Sequence, residues 1–186
     1  MKKLLTLALF SAALSPALAA APPAPKVVVL DRIAILQNSK VGRDIARQLQ
    51  ALTVQNRNSF EAQQKALTAE QQQLTQKVAI MAADQRQKTE DAFRAKVQNM
   101  QESAQRRAAQ IQQVSQSSSQ IISQALAPIV DEIVKERGAN LVIDKQAVIF
   151  ANSNAFEITQ EAISKLDAKM PSYKVTLGAA PAALPQ

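Results

Sequence analysis

The stretch GANLVIDKQAVIFANSNAFEITQEAISKL, residues 138–166, differs sharply from the eighty residues before it. Those residues form a Gln-rich pattern of helical spacing, whereas this stretch opens on a glycine and contains two short apolar runs. Such runs, rich in β-branched residues and bounded by turn-forming residues, predict two strands at 141–144 and 147–151. The residues between them, Lys145 and Gln146, are predicted to form a tight turn.

A short helix is predicted to follow the two strands, from about Phe156 to Lys169. Apolar residues recur there at helical spacing and define one face, which consists of Ile158, Ala162, Ile163 and Leu166. A third strand, 26–31, is predicted at the other end of the chain, because three valines follow one another there. Three short strands need a covering surface to be stable, so we expect copies of the chain to associate.

The segment between these ends is predicted to be a long antiparallel helical hairpin over residues 40–127. Apolar or small residues recur mostly every three or four positions, with no glycine or proline from Arg43 to 127. Asp84 with Gln87 three residues later resembles a capping box, which favours a hairpin with its tip near 81–86 over an uninterrupted rod.

A single register supports the hairpin, in which opposed residues have numbers that sum to 167. It matches three apolar pairs: Ile45–Ile122, Leu67–Met100 and Leu74–Phe93. It also matches three pairs of opposite charge: Glu61–Arg106, Lys65–Glu102 and Lys77–Glu90. Exposed ion pairs contribute only about 0.2–1 kcal/mol each, so we expect these pairs to select the register more than to stabilise the fold.

The ends of the helices are predicted from capping and breaking residues. Ser39 is a plausible N-cap and Gly42 the last irregular residue before the hairpin. Pro128 is predicted to interrupt the returning helix, and a final helical stretch, 129–137, is predicted to stop at Gly138.

The sequence therefore predicts an α+β, predominantly α fold. A small β body combines residues 26–39, a strand and its connection, with residues 128–170, a helix, two strands and a C-terminal helix. The hairpin extends from this body, and the body is completed by oligomerisation.

The two termini are predicted to lie outside the fold. Residues 1–19 have a charged start, a short apolar run and a small-residue cleavage site, which predicts a cleaved secretory signal, an uncleaved anchor being the alternative. Residues 20–25 read as a stiff Pro-rich spacer and 171–186 as a disordered tail rich in Ala and Pro. We therefore expect an exported protein.

The residue inventory argues against an enzyme. The sequence has no histidine and no cysteine, which excludes His-containing catalytic triads, thiol chemistry, disulfides and the usual zinc sites. Its three glycines, which are far apart, cannot build a phosphate-binding loop. Adjacent carboxylates such as Asp131 and Glu132 do not share a helix face and are expected to be solvated. No catalytic residue, metal site or cofactor is predicted.

The charge balance favours acidic partners. The chain has 22 Lys and Arg against 15 Asp and Glu, a formal charge of +7, and removal of Lys2 and Lys3 with the signal would leave +5. Between Arg43 and Gln113 the sequence contains 11 basic and 7 acidic residues. Export argues against nucleic acid as the partner, so acidic proteins or anionic lipids are the expected ones.

Two segments, KVVVLDRIAILQNSKVGRDIARQL (26–49) and the opening stretch (138–166), resemble the two halves of the body of the Skp/OmpH family of periplasmic chaperones. The resemblance implies a jellyfish-like homotrimer with a small β body and three helical tentacles around a cavity. It also implies that unfolded outer-membrane proteins are held in that cavity without ATP.

The resemblance and the charge pattern give two sets of candidate residues. Those expected to contact clients are Arg57, Lys65, Lys77, Met81, Arg86, Lys88, Arg94, Lys96, Arg106 and Arg107. Those expected to form the oligomeric body are Val27, Val28, Val29, Leu141, Val142, Ile143, Val148, Ile149 and Phe150. The alternatives are a structural coiled-coil spacer and an envelope protein that binds anionic lipid or lipopolysaccharide.

Overall fold

The computed structural model describes residues 24–151 and 153–178, in which four α-helices and two strands are present. The predictions for residues 1–19, for most of 20–25 and for 179–186 lie outside the described residues. The elements in chain order are β1 (Val27–Leu30), α1 (Arg32–Asn38), α2 (Lys40–Val78), α3 (Ala83–Arg137), β2 (Leu141–Asp144) and α4 (Thr159–Lys169). The fold is mostly helical with a small strand pair, as the sequence predicts.

The connection between β1 and the hairpin contains α1, a helix that the sequence analysis did not predict. The Asp31 carboxylate starts α1 by accepting the backbone N–H of Ala34 at 2.8 Å. Ser39 starts α2 by accepting the N–H of Gly42 at 3.1 Å, which confirms the predicted N-cap. The expectation of an irregular Gly42 is wrong, because Gly42 lies buried in the first turn of α2.

Helices α2 and α3 form the hairpin and are joined by the turn 79–82. The predicted tip overlaps this turn, but the capping box is wrong, because Ala82 occupies the N-cap of α3 and makes no side-chain cap bond. Asp84 lies in the first turn of α3, where its charge is favourable beside the positive end of the helix dipole. At about 1.5 Å per residue, α2 is roughly 60 Å long.

The register of the hairpin agrees with the prediction to within about one residue. Lys96 on α3 lies 2.5 Å from the Glu70 carboxylate on α2, and these numbers sum to 166. Leu74 and Phe93, a predicted apolar pair, line one shallow groove between the helices. The apolar seam thus positions the helices much as expected.

The ion pairs predicted across the seam do not form among the described residues: Glu61–Arg106, Lys65–Glu102 and Lys77–Glu90. Glu61 lies 3.9 Å from Arg57 and Glu102 lies 3.1 Å from Arg106, each on its own helix. A partner four residues away on the same helix is held nearby by the helix geometry, so it competes well against a partner across the seam.

Helix α3 continues through Pro128, so the predicted interruption is wrong. Pro128 is exposed, and its missing N–H removes only the bond to the Gln124 carbonyl. The helix ends at Gly138, which has φ 59° and whose N–H donates to the Lys135 carbonyl at 3.0 Å. The predicted C-terminal stop is confirmed.

The two strands, from opposite ends of the chain, pair in parallel with Val28 opposite Val142. The hairpin makes this pairing possible, because it returns the chain to its starting point. On the other edge of β1, the Val29 carbonyl accepts the N–H of Ile158 at 2.9 Å. The sheet is therefore closed on one side by the approach to α4.

The second strand predicted in the opening stretch, 147–151, is wrong. The Asp144 carboxylate accepts the N–H of Gln146 at 3.0 Å and turns the chain into a short 3₁₀ helix, Lys145–Ala147. Within the described residues no strand pairs with Val148 to Ala151. The apolar run is present, but it has no strand partner in the described part of its chain.

The hydrophobic core is confined to the base of the hairpin, where α1, α4 and the sheet pack against the roots of α2 and α3. Its fully buried members include Ile35, Ile129, Ile133 and Leu166. The predicted face of α4 is confirmed, since Ile158, Ala162, Ile163 and Leu166 are all buried. From 46 to 113 no residue is buried, so the hairpin beyond its root has no core of its own.

The chain after α4 differs from the predicted disordered tail as far as residue 178. Tyr173 and Val175 pack against the core, and both are bonded through their backbone to Gln48 on α2. This contact could not be predicted from local patterns, because it depends on a polar side chain 125 positions earlier.

Candidate functional site

All but one of the predicted client-contact residues are cations, and four of these cations are held in ion pairs. Arg57, Arg94 and Arg106 each bind a carboxylate on their own helix, at 3.9, 2.9 and 3.1 Å. Lys96 binds Glu70 across the seam. The four cationic side chains are more than half exposed, so the pairs are weak and the charges remain accessible.

The other five cations have no carboxylate within 4.0 Å among the described residues: Lys65, Lys77, Arg86, Lys88 and Arg107. Lys77, Arg86 and Lys88, the tip cluster, stand on both sides of the turn 79–82. Residues 77–91 contain as many acidic as basic residues, three of each, so the end of the hairpin has no net excess of positive charge. The three cations of the tip cluster can nevertheless pair with carboxylates of a partner by direct contact.

The turn also carries apolar surface. Ile80 is 89% exposed, while Met81, the predicted apolar contact, is half-buried and receives a weak bond from the Thr89 hydroxyl at 3.9 Å. Sequence reasoning missed Ile80 because the helical stripe ends at Val78 and the turn was placed later. The tip therefore combines an exposed isoleucine with the tip cluster.

The seam between the arms is loosely packed over most of its length. A mostly polar groove of about 310 Å³ separates the helices near Asn56 and Gln110. Half-buried apolar residues such as Leu67, Leu74 and Val97 supply the remaining contacts. Few buried contacts and many exposed backbone bonds mark a segment of low local stability, so we expect the arms to bend readily.

The body carries two apolar grooves, one on each face of β2. A groove of about 790 Å³ lies between α1, α3 and Val142. A second, of about 840 Å³, lies beside Val27, Ile143 and Phe150. Ile149 is fully exposed and Phe150 is 83% exposed. Exposed apolar side chains beside an apolar groove are the kind of surface on which proteins associate.

The residues predicted for the oligomeric body separate into two groups. Val28 is buried in the core of its own chain, at 4% exposure, and therefore faces no partner. The others are half-buried or exposed: Val27, Val29, Leu141, Val142, Ile143, Val148, Ile149 and Phe150. Sequence reasoning missed Ile33 and Leu36 of α1, which line the first groove, because α1 was not predicted.

Charged residues at the rim of the sheet are paired within the chain. The N–H of Gln146 and then the Arg32 guanidinium, 2.5 Å away, lower the pKa of the Asp144 carboxyl. A hydrogen bond to Glu157 at 2.9 Å raises the pKa of Lys145. Apart from Lys26, the charged side chains that line the two apolar grooves are thus paired within the chain.

The described residues offer no metal site, since no group of three or more Asp and Glu side chains is placed to hold an ion. Within residues 24–151 and 153–178, no helix has the length and apolar character needed to cross a bilayer.

Comparisons with known proteins agree with this architecture. The model of the family described as outer membrane protein (OmpH-like) matches residues 26–166. A crystal structure of a protein assigned as an OmpH-like outer membrane chaperone, from Caulobacter crescentus CB15, superposes with a TM-score of 0.78. The two sequences are 21% identical, and the match covers 86% of this chain and 94% of the other. None of the curated proteins matches this sequence.

Proposed function

The chain belongs to the OmpH-like family of outer membrane proteins, and we propose that it is a periplasmic holdase that keeps unfolded outer-membrane proteins from aggregating without using ATP. The observation that carries this proposal is the division of the molecule into two parts. All buried residues lie in the body and the roots of the helices, while 46–113 form cationic arms with no buried side chain.

The arms suit a holdase because they can offer many weak contacts to one client. Unpaired cations attract acidic segments and raise the encounter rate, while loose packing lets the arms adapt to clients of different size. Weak contacts dissociate quickly when taken one by one, so release needs no nucleotide. The three glycines of the sequence, at 42, 138 and 178, could not form a phosphate-binding loop in any case.

The body suits assembly into a homotrimer. Its two apolar grooves are unlike surfaces, and a ring requires that one surface of a copy meet a different surface of the next. Ile149 and Phe150 are the groups that gain most from being covered. Three copies joined in this way would place three hairpins around a common space in which a client can be held.

The test is an aggregation assay. An unfolded β-barrel membrane protein is diluted from urea into buffer with the protein, and light scattering is followed. We expect stoichiometric protein to suppress scattering, and Arg86→Glu with Lys88→Glu to weaken suppression several-fold at low salt. Reversal of two exposed body cations, Lys40 and Lys174, which line neither apolar groove and whose ammonium groups have no carboxylate within 4.0 Å among the described residues, is the charge-matched control and should leave suppression unchanged. Undiminished aggregation with the wild-type protein would refute the holdase and favour a structural coiled-coil spacer.

A second candidate, binding to anionic lipid or lipopolysaccharide, is favoured by the exposure of Ile80 beside the tip cluster. An apolar side chain among cations suits a surface with anionic headgroups over acyl chains. This candidate predicts binding to protein-free anionic vesicles that declines steeply with salt and is lost in Ile80→Ser. The holdase predicts suppression of aggregation in the absence of any lipid.

A further inference from the structure

The segment after α4 forms a strap, residues 173–177, at the root of α2, and the strap ends in a turn at Leu177. Its side chains alternate, with Tyr173, Val175 and Leu177 half-buried and Lys174 and Thr176 exposed. This period of two is that of a β-strand with one face covered. The match to the family ends at 166, so the strap lies beyond the part of the chain that defines the family.

The Gln48 side chain bonds the strap on both sides of Lys174, and the neighbouring Asp44 carboxylate receives a backbone hydrogen bond from Tyr173. The Gln48 amide nitrogen donates to the Tyr173 carbonyl at 2.8 Å, and the Gln48 amide oxygen accepts the N–H of Val175 at 2.9 Å. In a parallel sheet, the backbone N–H of a residue donates to the carbonyl of the residue that precedes its opposite number on the next strand. Its carbonyl accepts the N–H of the residue that follows that opposite number, so Gln48 makes the same two bonds around Lys174. Gln48 therefore imitates one residue of a neighbouring strand.

The amide is fixed in this orientation by its own helix. The second N–H of the Gln48 amide donates to the Asp44 carboxylate at 2.8 Å, and Arg47 binds the other oxygen of Asp44 at 2.5 Å. Both amide protons and the amide oxygen of Gln48 are thereby used. The Gln48 amide is thus oriented to bind an extended backbone. The core beside it contacts the apolar side chains of Tyr173 and Val175, which flank the exposed Lys174.

We propose that the root of α2 is a binding site for one extended, alternately apolar chain segment, which the strap fills in cis and a segment of unfolded client displaces. This inference rests on the proposed holdase function, because it names a client site and its regulation. The backbone hydrogen bonds do not depend on which residues the bound segment contains. The need for apolar side chains at every second position selects segments that resemble a strand of a β-barrel.

Tyr173 allows a direct test, because the sequence has a single tyrosine and no tryptophan. Its fluorescence anisotropy reports whether the strap is docked. The probe is the peptide SFKVTLG, the sequence of 172–178 with Phe replacing the tyrosine. A tethered segment has an effective concentration on the order of millimolar, so we expect the peptide to lower the Tyr173 anisotropy with a midpoint in that range.

Two controls make the displacement specific. A peptide of the same composition with its apolar residues adjacent should leave the anisotropy unchanged. Gln48→Leu should lower it before any peptide is added, whereas Gln50→Leu, at an exposed neighbour, should not. Equal effects of the two peptides, or an unchanged anisotropy in Gln48→Leu, would overturn the proposed site.

A second experiment measures suppression of client aggregation by full-length variants, after circular dichroism has shown that their helix content is unchanged. Tyr173→Ser with Val175→Ser should empty the site and suppress aggregation at a several-fold lower concentration than wild type. Lys174→Ser with Thr176→Ser should behave as wild type, and adding Gln48→Leu to the first variant should remove the gain. An emptied site that captures client no better overturns this inference while the holdase stands. If neither the wild type nor any variant suppresses aggregation, the proposed holdase function is overturned. The anisotropy of Tyr173 alone then tests whether the root of α2 binds an extended segment.

Discussion

At Gly42, helix α2 passes so close to the end of α1 that a side chain has no room. A Cβ atom there would lie 1.9 Å from the Leu36 carbonyl oxygen and 2.9 Å from the Ser39 hydroxyl. We expect Gly42→Ala to destabilise the protein by roughly 1–3 kcal/mol, although alanine is intrinsically the better helix former by about 1 kcal/mol. Urea unfolding measures the change. A gain in stability would show that the α1–α2 junction is looser than the structure has it.

The same residue shows why the sequence was misread locally. A glycine near a predicted cap normally indicates irregular backbone, but here it serves a close approach between two helices, which depends on tertiary structure. Ser39 was predictable because an N-cap bonds to backbone only three residues away. The prediction of Asp84 as the N-cap was wrong because a carboxylate is also favourable inside the first turn of a helix. The conformation of the turn 79–82 places the N-cap at Ala82 and Asp84 in the first turn.

Among the elements, α3 is unusual in containing an exposed proline. Pro128→Ala would supply the missing N–H for the Gln124 carbonyl and remove the clash of the ring. We expect stability to rise by about 1–3 kcal/mol, seen as a higher urea midpoint with unchanged helix content by circular dichroism. A loss of stability would mean that the local shape imposed by the proline is needed for packing of Ile129 and Ile133.

Helix α4 is attached to α3 by a cluster of ion pairs as well as by its apolar face. Lys165 first, at 2.8 Å, and then Lys169, at 3.2 Å, lower the pKa of Glu132. Because the pKa of Glu132 is lower in the folded protein than in the unfolded chain, its ion pairs stabilise the fold fully at pH values above the ordinary pKa of 4.5. This contribution is lost as the pH falls through the lowered pKa of the folded protein. Melting temperatures from pH 6 to 3 should fall less in Glu132→Gln than in wild type. Parallel profiles would contradict this role.

The second predicted strand fails for a reason that belongs to the assembly of elements. Val148 to Phe150 have the composition of a strand, and strand propensity depends on finding a partner and a covering surface. Among the described residues β2 pairs only with β1, so the run has no strand partner, and Ile149 and Phe150 are exposed. The apolar character of the run was thus predicted correctly, whereas its strand was not.

At the scale of the whole molecule, sequence reasoning predicted the hairpin, its register and the meeting of the two chain ends, because each rests on repeated local patterns. It did not predict α1, the exposed Ile80 or the strap. Each of these depends on one or two residues, or on contacts between segments more than 100 residues apart such as Gln48 with Tyr173. Single long-range bonds leave no periodic trace in a sequence.

Self-association should be broken by a charge at the exposed apolar run. Ile149→Asp places a carboxylate where a second copy is expected to cover it, and an unpaired buried charge costs several kcal/mol. Sedimentation velocity should show dissociation for Ile149→Asp and none for Ile80→Asp, a matched isoleucine that is exposed at the far end of the hairpin. Equal masses for the two variants would place the interface elsewhere on the body.

The most direct measurement is the mass of the complex formed with a client. Native mass spectrometry of the protein mixed with one unfolded β-barrel membrane protein, in the absence of nucleotide, should give three chains and one client. Single chains without client, beside a precipitated client, would contradict both the assembly and the holding of unfolded proteins between the arms.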